Sequence, residues 1–314
     1  MVGVNLDDYP RTLLELERRF AEEEACRDYL FKLRWPEGFN CPRCHGTKAW
    51  KMNRGLWLCS GCRRQVSVTA GTIFQDRRYP LMLWFRAIWQ ITSQKYGASA
   101  LGLMRVMGFG SYQTAWAWLH KLRRAMVRPG RDRLSGIIDV DETYVGGERS
   151  GKRGRGAAGK TLVLIAAQQD GSRIGRIRLV RVPDASSQSL EHAIQQSIEP
   201  NSQVRTDGWV GYQGLAALKY DHPVVVTTAE LGENLLPNCH LVASLLKRWL
   251  LGTHQGAVRT AHLDYYLDEF TFRFNRRSSR HRGKLFYRLI QQAVQVPPKP
   301  YRSLVGGAQP VGAG

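Results

Sequence analysis

The sequence predicts an α/β chain, a mixed sheet flanked by helices and preceded by a small ribbon and a helical module. Three observations predict it. Two CxxC pairs, CPRC at Cys41 and Cys44 and CSGC at Cys59 and Cys62, are separated by fourteen residues. Between Pro80 and Met126 the apolar residues recur at helical spacing. From Gly136 onward the period is that of strands, and two strand-like runs end in aspartates: Asp141 in IIDVDETYVGG and Asp207 in VRTDGWVGY.

Residues 1–36 predict an amphipathic helix from Pro10 to about Phe31, with Leu13, Leu14, Leu16 and Phe20 on its apolar side. Residues 37–75 read as a zinc ribbon. Each CxxC turn presents two thiolates, and Cys41, Cys44, Cys59 and Cys62 together fill a tetrahedral Zn²⁺ shell without His45. A pair of disulfides is the weaker reading, because no export signal precedes it. Cys26 and Cys239 stand apart as ordinary thiols. Between the CxxC turns, Trp50, Lys51, Arg54 and Trp57 alternate charge with aromatic surface. Two roles are open for them: contact with a nucleic-acid backbone, or packing of Trp57 on the metal knuckle.

Residues 76–130 hold three helical patterns, LMLWFRAIWQITSQ after Pro80, ASALGLMRVMG after Gly97, and SYQTAWAWLHKLRRAM after Gly110. Short helices joined by glycine turns suit a helix-turn-helix. On that reading Tyr112, Gln113 and Thr114 face base edges, while His120, Lys121, Arg123 and Arg124 lie near phosphates. The alternative is a plain packing unit with Trp84, Trp89, Trp116 and Trp118 as its core.

Residues 131–295 supply the α/β domain. IIDVDETYV, TLVLIAAQQ and IGRIRLVRV read as strands, SSQSLEHAIQQSI as helix, SQVRTD as strand, WVGYQGLAAL as helix, HPVVVTT as strand and CHLVASLLKRWLL as helix. That order is RNase H-like: the first strand is central, the fourth lies beside it, and Asp141 and Asp207 become neighbours. Paired carboxylates offer the hard oxygen ligands that Mg²⁺ or Mn²⁺ requires in phosphodiester chemistry. Glu142 points to the opposite strand face and reads as a structural partner. Asp268 and Glu269 read as ion-pair partners of Arg273 or Arg276, beside Phe270, Phe272 and Phe274 packed under the sheet, and His254 as a loop hydrogen-bonding residue. Residues 296–314, with their prolines and glycines, read as a disordered tail.

Charge points to the partner. The chain carries 46 Lys plus Arg against 26 Asp plus Glu, a net charge of +20, and its pI is about 10.1, which favours phosphate binding through counterion release. The loop RSGKRGRGAAGK and the stretch FRFNRRSSRHRGK concentrate that charge. For the second, a solvated face is the alternative to a DNA-backbone contact. No apolar run is long enough for a bilayer and no signal peptide is visible, so a cytosolic protein without a membrane partner is expected.

IIDVDETYVGG, GKRGRGAAGK, VRTDGWVGY, RWLLGTHQG and YLDEFTFRFNRR, in that order, resemble the signature segments of DDE-type insertion-sequence transposases with an N-terminal zinc ribbon, the ISXO-like group. The resemblance implies binding to the element's terminal inverted repeats, then Mg²⁺- or Mn²⁺-dependent strand cleavage and strand transfer into target DNA. It implies double-stranded DNA as partner, a homo-oligomer on that DNA, and a bacterial-type cytosolic, nucleoid-associated setting. Asp141 and Asp207 match the first two metal-binding positions. The third falls in a segment that reads HxVxSNLK in the group and HLVASLLK here, which aligns it with Leu245, followed at the group's distance by Lys247, for which a phosphate-holding role and a solvated lysine are both open. A leucine offers no lone pair. Either His240, Asp139, Glu230 or Glu233 substitutes, or catalysis is impaired and the chain is a DNA-binding remnant. His240, a poor direct ligand for Mg²⁺, would act best through a water. An unrelated transcription regulator would explain the ribbon but leave Asp141 and Asp207 without a role.

Overall fold

The computed structural model describes residues 8–128, 130–146, 160–225, 236–256 and 258–306. They divide into two compact units, one of residues up to Arg128 together with Ser278–Gly306, the other of residues from 130 to Arg277.

In the first unit the N-terminal segment forms two helices rather than one, α1 (Leu13–Arg19) and α2 (Glu23–Arg34). Thr12 caps α1 by accepting a hydrogen bond from the Glu15 N–H. Phe20 ends it and packs among Tyr29, Phe85 and Phe286, at centroid distances of 5.0, 4.8 and 6.1 Å. The ribbon is an antiparallel sheet of β1 (Ala49–Lys51), β2 (Leu56–Cys59) and β3 (Gln65–Ser67). Three helices follow: α3 (Leu81–Ser93), α4 (Ala100–Met107) and α5 (Tyr112–Ala125). Gly108, at φ +67°, takes the left-handed conformation that stops α4 and opens a short turn into α5. Trp84 stacks on Trp118 at 3.7 Å and 10°, and the core holds Trp89 as well, with Trp116 half-buried.

Two expected boundaries move. The helix Arg282–Ala293 was assigned to the α/β domain by sequence proximity, yet it lies in the first unit, where Leu285, Phe286, Leu289 and Ile290 are buried. Its closeness to the N-terminal segment requires Gly283, because a Cβ there would sit 1.7 Å from the Pro10 carbonyl oxygen. The tail expected to be disordered from 296 is ordered through residue 306 and contains a helix, Tyr301–Val305. Leu304 is fully buried, Tyr301 meets the Trp116 ring edge-on, and Arg124 donates to the Pro297 carbonyl. Two apolar anchors outweigh the prolines and glycines that suggested disorder.

The second unit is built on β4 (Ile137–Val145), β5 (Thr161–Asp170), β6 (Arg173–Val182) and β7 (Gln203–Arg205), in the order β6-β5-β4-β7. The first three run antiparallel and β7 joins β4 in parallel. This is the expected RNase H-like arrangement, with the first strand inside and the fourth beside it. Alternation along β4 feeds two cores. Ile138 and Val140 face α6 (Ser187–Ser197), and Val145 faces α7 (Pro237–His254) and α8 (Leu263–Phe274). The predicted helix at WVGYQGLAAL is a 3-10 turn, Val210–Leu215, and of the predicted strand at HPVVVTT the described residues 222–225 make a bridge between Val224 and Thr206, beside one between Asp221 and Gln203.

The edge strand β6 is closed by the end of α8. Asn275 accepts from the Ile177 N–H at 2.7 Å and donates to its carbonyl at 3.1 Å, as a neighbouring strand would. Glu269, completely buried, pairs with Arg273 at 2.7 Å, as one of the expected ion pairs. His254 closes α7 rather than a loop, its ring edge-on to Trp249 and Tyr266.

Candidate active site and metal centre

The four cysteines of the CxxC pairs converge, their sulfurs all within 4.8 Å of one another. Cys41 Sγ lies 3.6 Å from Cys62 Sγ and Cys44 Sγ 3.5 Å from Cys59 Sγ. A tetrahedron of thiolates at about 2.3 Å from zinc has edges of roughly 3.8 Å, so the set fits a structural Zn²⁺. Backbone N–H groups of Cys44 and then Arg43 draw the Cys41 thiol down to about 6, toward the thiolate a metal binds.

The ribbon surface resolves in part. Trp57 stacks on Phe31 at 4.2 Å and packs near Phe39, so its role is packing. Lys51 is engaged by Glu24 and Asp28 at 2.7 and 2.9 Å. Trp50 is exposed, with the Arg63 guanidinium 5.7 Å from its ring centroid. In the helical module Tyr112 and Gln113 are exposed and Thr114 is half-buried at the start of α5. His120 and Arg123 are buried and do not reach a phosphate. The second half of α5 is enclosed by the unit's core, which the charge count alone does not reveal.

The carboxylate site is assembled by register. β4 and β7 pair Ile137 with Gln203 and Asp139 with Arg205. Asp141 lies two residues beyond the last of these pairs on β4, and Asp207 lies two beyond it in the segment that follows β7, close enough for its charge to act on Asp141. Asp207 is fixed by a turn in which its Oδ1 accepts from the Trp209 N–H at 3.0 Å. Asp141 Oδ1 accepts from the Glu142 N–H at 2.8 Å. Burial, and then the charge of Glu142, push the Asp141 carboxyl up to about 6, with Asp207 adding to the rise and His240 opposing it. Negative charge is concentrated where a cation would relieve it.

Helix α7 brings His240 to this pair, its Nε2 3.3 Å from Asp141 Oδ2. Leu245 does not point there. Five residues along a helix turn the side chain by about 140° relative to His240, and Leu245 packs against the core formed with Val242, Leu246 and Trp249. Lys247, exposed, is seven residues from His240 and therefore within roughly 20° of the same face, about 10 Å further along the axis. The α7 face that looks toward Asp141 thus carries His240 and Lys247, and a donor at 245 would be turned away.

Asp139 is no substitute ligand. It is 1% exposed and both oxygens are occupied, Oδ1 by Arg205 and Oδ2 by Asn238 at 2.8 Å. Glu142 is held by the buried Tyr212 hydroxyl at 2.7 Å, and burial with this carboxylate drives the phenol's pKa upward. Glu230, Glu233 and most of RSGKRGRGAAGK lie outside the described residues. Sequence reasoning missed Arg205, Asn238 and Tyr212. The first was readable, since Asp139 stands two before Asp141 as Arg205 stands two before Asp207.

The chain is similar to known proteins over both units. Residues 133–275 match the ISXO2-like transposase domain and residues 21–65 match the transposase zinc-ribbon domain. An uncharacterized protein in transposable element ISH50 of Halobacterium salinarum is 26% identical over 280 residues, covering 82% of this chain and 92% of that protein. A cryoEM structure of a simian T-cell lymphotropic virus intasome in complex with PP2A regulatory subunit B56 gamma aligns over 72% of this chain and 77% of its own, at 13% identity and a TM-score of 0.31, too low to bear on fold or function.

Proposed function

Because the chain belongs to the insertion-sequence transposases that join a zinc ribbon to a DDE-type domain, we propose that it binds the terminal inverted repeats of its element and catalyses divalent-metal-dependent strand cleavage and strand transfer. The observation that carries the reading is the meeting of Asp141, in the middle of the central strand β4, with His240 at 3.3 Å, and with Asp207, whose charge acts on it. Asp141 and Asp207 would hold Mg²⁺ or Mn²⁺, with His240 completing the set through its nitrogen or a water. A divalent ion bound there activates the attacking oxygen and stabilises the leaving one.

The protein's own groups do the rest. His240 orients Asp141, and Lys247, on the same helix face, holds a phosphate flanking the scissile bond. Tyr112, Gln113 and Thr114 read the terminal repeat, and Trp50 with Arg63 lies along its backbone. DNA at both element ends calls for a homo-oligomer on the DNA, in the cytosol at the nucleoid.

The second reading, a remnant without chemistry, is motivated by Leu245, and the core position of that side chain weakens it. The test is cleavage of end-containing duplex DNA in Mg²⁺ or Mn²⁺. Activity in wild type that is lost in Asp207→Ala and His240→Ala, and unchanged in Leu245→Asn, supports the catalytic reading. An inert wild type that gains cleavage with Leu245→Asn would overturn it in favour of the remnant.

A further inference from the structure

Arginines gather at the edge of the sheet opposite β7, away from the carboxylates. Arg178 is 6% exposed on β6 and donates to the carbonyls of Ile177 and Asp132. Arg176 donates to the Arg133 carbonyl and the Gln168 amide oxygen. From the other face of the strand, Arg277 donates to the carbonyls of Ile174, Gly175 and Phe274, its guanidinium 4.0 Å from the Phe274 centroid. Arg276 donates to the Phe272 carbonyl and lies 4.1 Å from the Phe272 centroid.

A carbonyl oxygen fixes a guanidinium without cancelling its charge. Among the described residues, Arg176, Arg178 and Arg277 make no ion pair. Burial, and then Arg131 and Arg176, pull Arg178 down to about 10, so like charges are in mutual range there; Asp132 offsets part of this and Arg276 adds to it. Edge protection explains Arg277, which with Asn275 seals the β6 backbone. It does not explain why Arg131, Arg176, Arg178 and Arg276 stand together, with Asp132 facing Arg178 and Asp268 facing Arg131 as the acidic groups in range.

We propose that this arginine cluster is a second phosphate-binding surface for duplex DNA, separate from the proposed metal site at Asp141 and Asp207 and the phosphate assigned to Lys247. β6 and β4, which carries Asp141, are two strand spacings apart, about 10 Å, so one phosphate cannot touch both. The contact is electrostatic and blind to sequence. It rests on the DNA-binding reading above, and its substrate is the same class of polymer engaged at another face.

The experiment measures binding of the full, zinc-loaded chain to a random-sequence duplex across a salt series. Wild type is compared with the double variants Arg176→Gln with Arg276→Gln and Arg176→Lys with Arg276→Lys. The Gln pair is expected to lower the slope of log affinity against log salt by roughly 1 to 2, about 0.9 for each lost phosphate contact, while the Lys pair keeps it. As a second measurement on unmodified protein, duplex DNA should shield Arg176 and Arg276 from phenylglyoxal. An unchanged slope with unshielded arginines overturns the surface while leaving the functional reading intact, and equal losses in the Gln and Lys pairs would make the cluster structural. A wild-type chain that binds no duplex at any salt overturns both.

Discussion

The cysteine cluster of the ribbon and the proposed carboxylate site are built in opposite ways. In the ribbon, four donors of one kind come from two short turns and meet within 4.8 Å. In the α/β unit, Asp141, Asp207 and His240 come from a strand, a turn after another strand, and a helix. The ribbon needs only its metal to bring its donors together. The carboxylate site needs the parallel pairing of β4 with β7 and the seating of α7 before it exists. A local site is therefore tied to its ion for folding, whereas a site assembled by topology has a scaffold that stands without the ion.

The largest effect should come from breaking the first half of this contrast. Removing zinc with a chelator, or changing Cys59→Ser, should unfold the ribbon, since structural zinc contributes on the order of 10 kcal/mol to such modules. The α/β unit should keep its cooperative melt. Hydrogen exchange resolves both, with loss of protection confined to the neighbourhood of residues 41–67 as the expected result. If protection persists there without zinc, the sulfurs are not the ribbon's anchor.

Next in size is the proposed catalytic set. Asp207→Ala and His240→Ala should each lower cleavage by roughly 10³-fold, about 4 kcal/mol of transition-state stabilisation, with no change in zinc content and little change in melting temperature. Leu245→Asn should leave the rate unaltered. A measurable gain from that substitution would mean that α7 is rotated relative to the arrangement in which Leu245 joins the core.

Much of this was legible in the sequence because each signal was either local or periodic. The CxxC spacing carried the ribbon, and the order of strands and helices carried the neighbourhood of Asp141 and Asp207. What escaped was phase and partnership. Alignment placed the third position at Leu245, but an α-helix has 3.6 residues per turn, and Leu245 is turned by about 140° from His240, the residue that reaches Asp141. The burial of His120 and Arg123 escaped for a related reason, since a charged residue is assigned to the surface until the enclosing elements are known. The grouping of Arg282–Ala293 with the first unit depended on a glycine contact distant in sequence.

A smaller effect tests the scaffold beneath the carboxylate pair. Arg205 and Asn238 together satisfy Asp139, and Arg205→Ala would leave a carboxylate that is 1% exposed with only the amide. The expected loss is about 3 kcal/mol in urea unfolding, the usual consequence of stranding one half of a buried ion pair. Replacing both partners, Arg205→Leu with Asp139→Leu, should recover most of it. If the single change costs nothing, the β4–β7 register is held elsewhere.

The smallest effect is a pH dependence that separates the carboxylate pair from ordinary surface acids. In zinc-loaded protein without other divalent ions, the folded Asp141 carboxyl titrates at about 6, against about 3.9 in an unfolded chain. The fold therefore holds this proton more tightly than the unfolded state does. Its contribution to stability is full below about pH 4 and is lost as the pH rises through about 6. Asp141→Asn removes that descent and should raise stability at neutral pH by on the order of 2 kcal/mol, while abolishing cleavage. Added Mn²⁺ should stabilise the wild type at neutral pH and leave Asp141→Asn nearly unmoved. Parallel stability curves for the two proteins from pH 4 to 7, with equal responses to Mn²⁺, would mean that the charge gathered around Asp141 by Glu142 and Asp207 is dispersed by solvent, and the contrast with the thiolate cluster would have to be drawn without an ion at the second site.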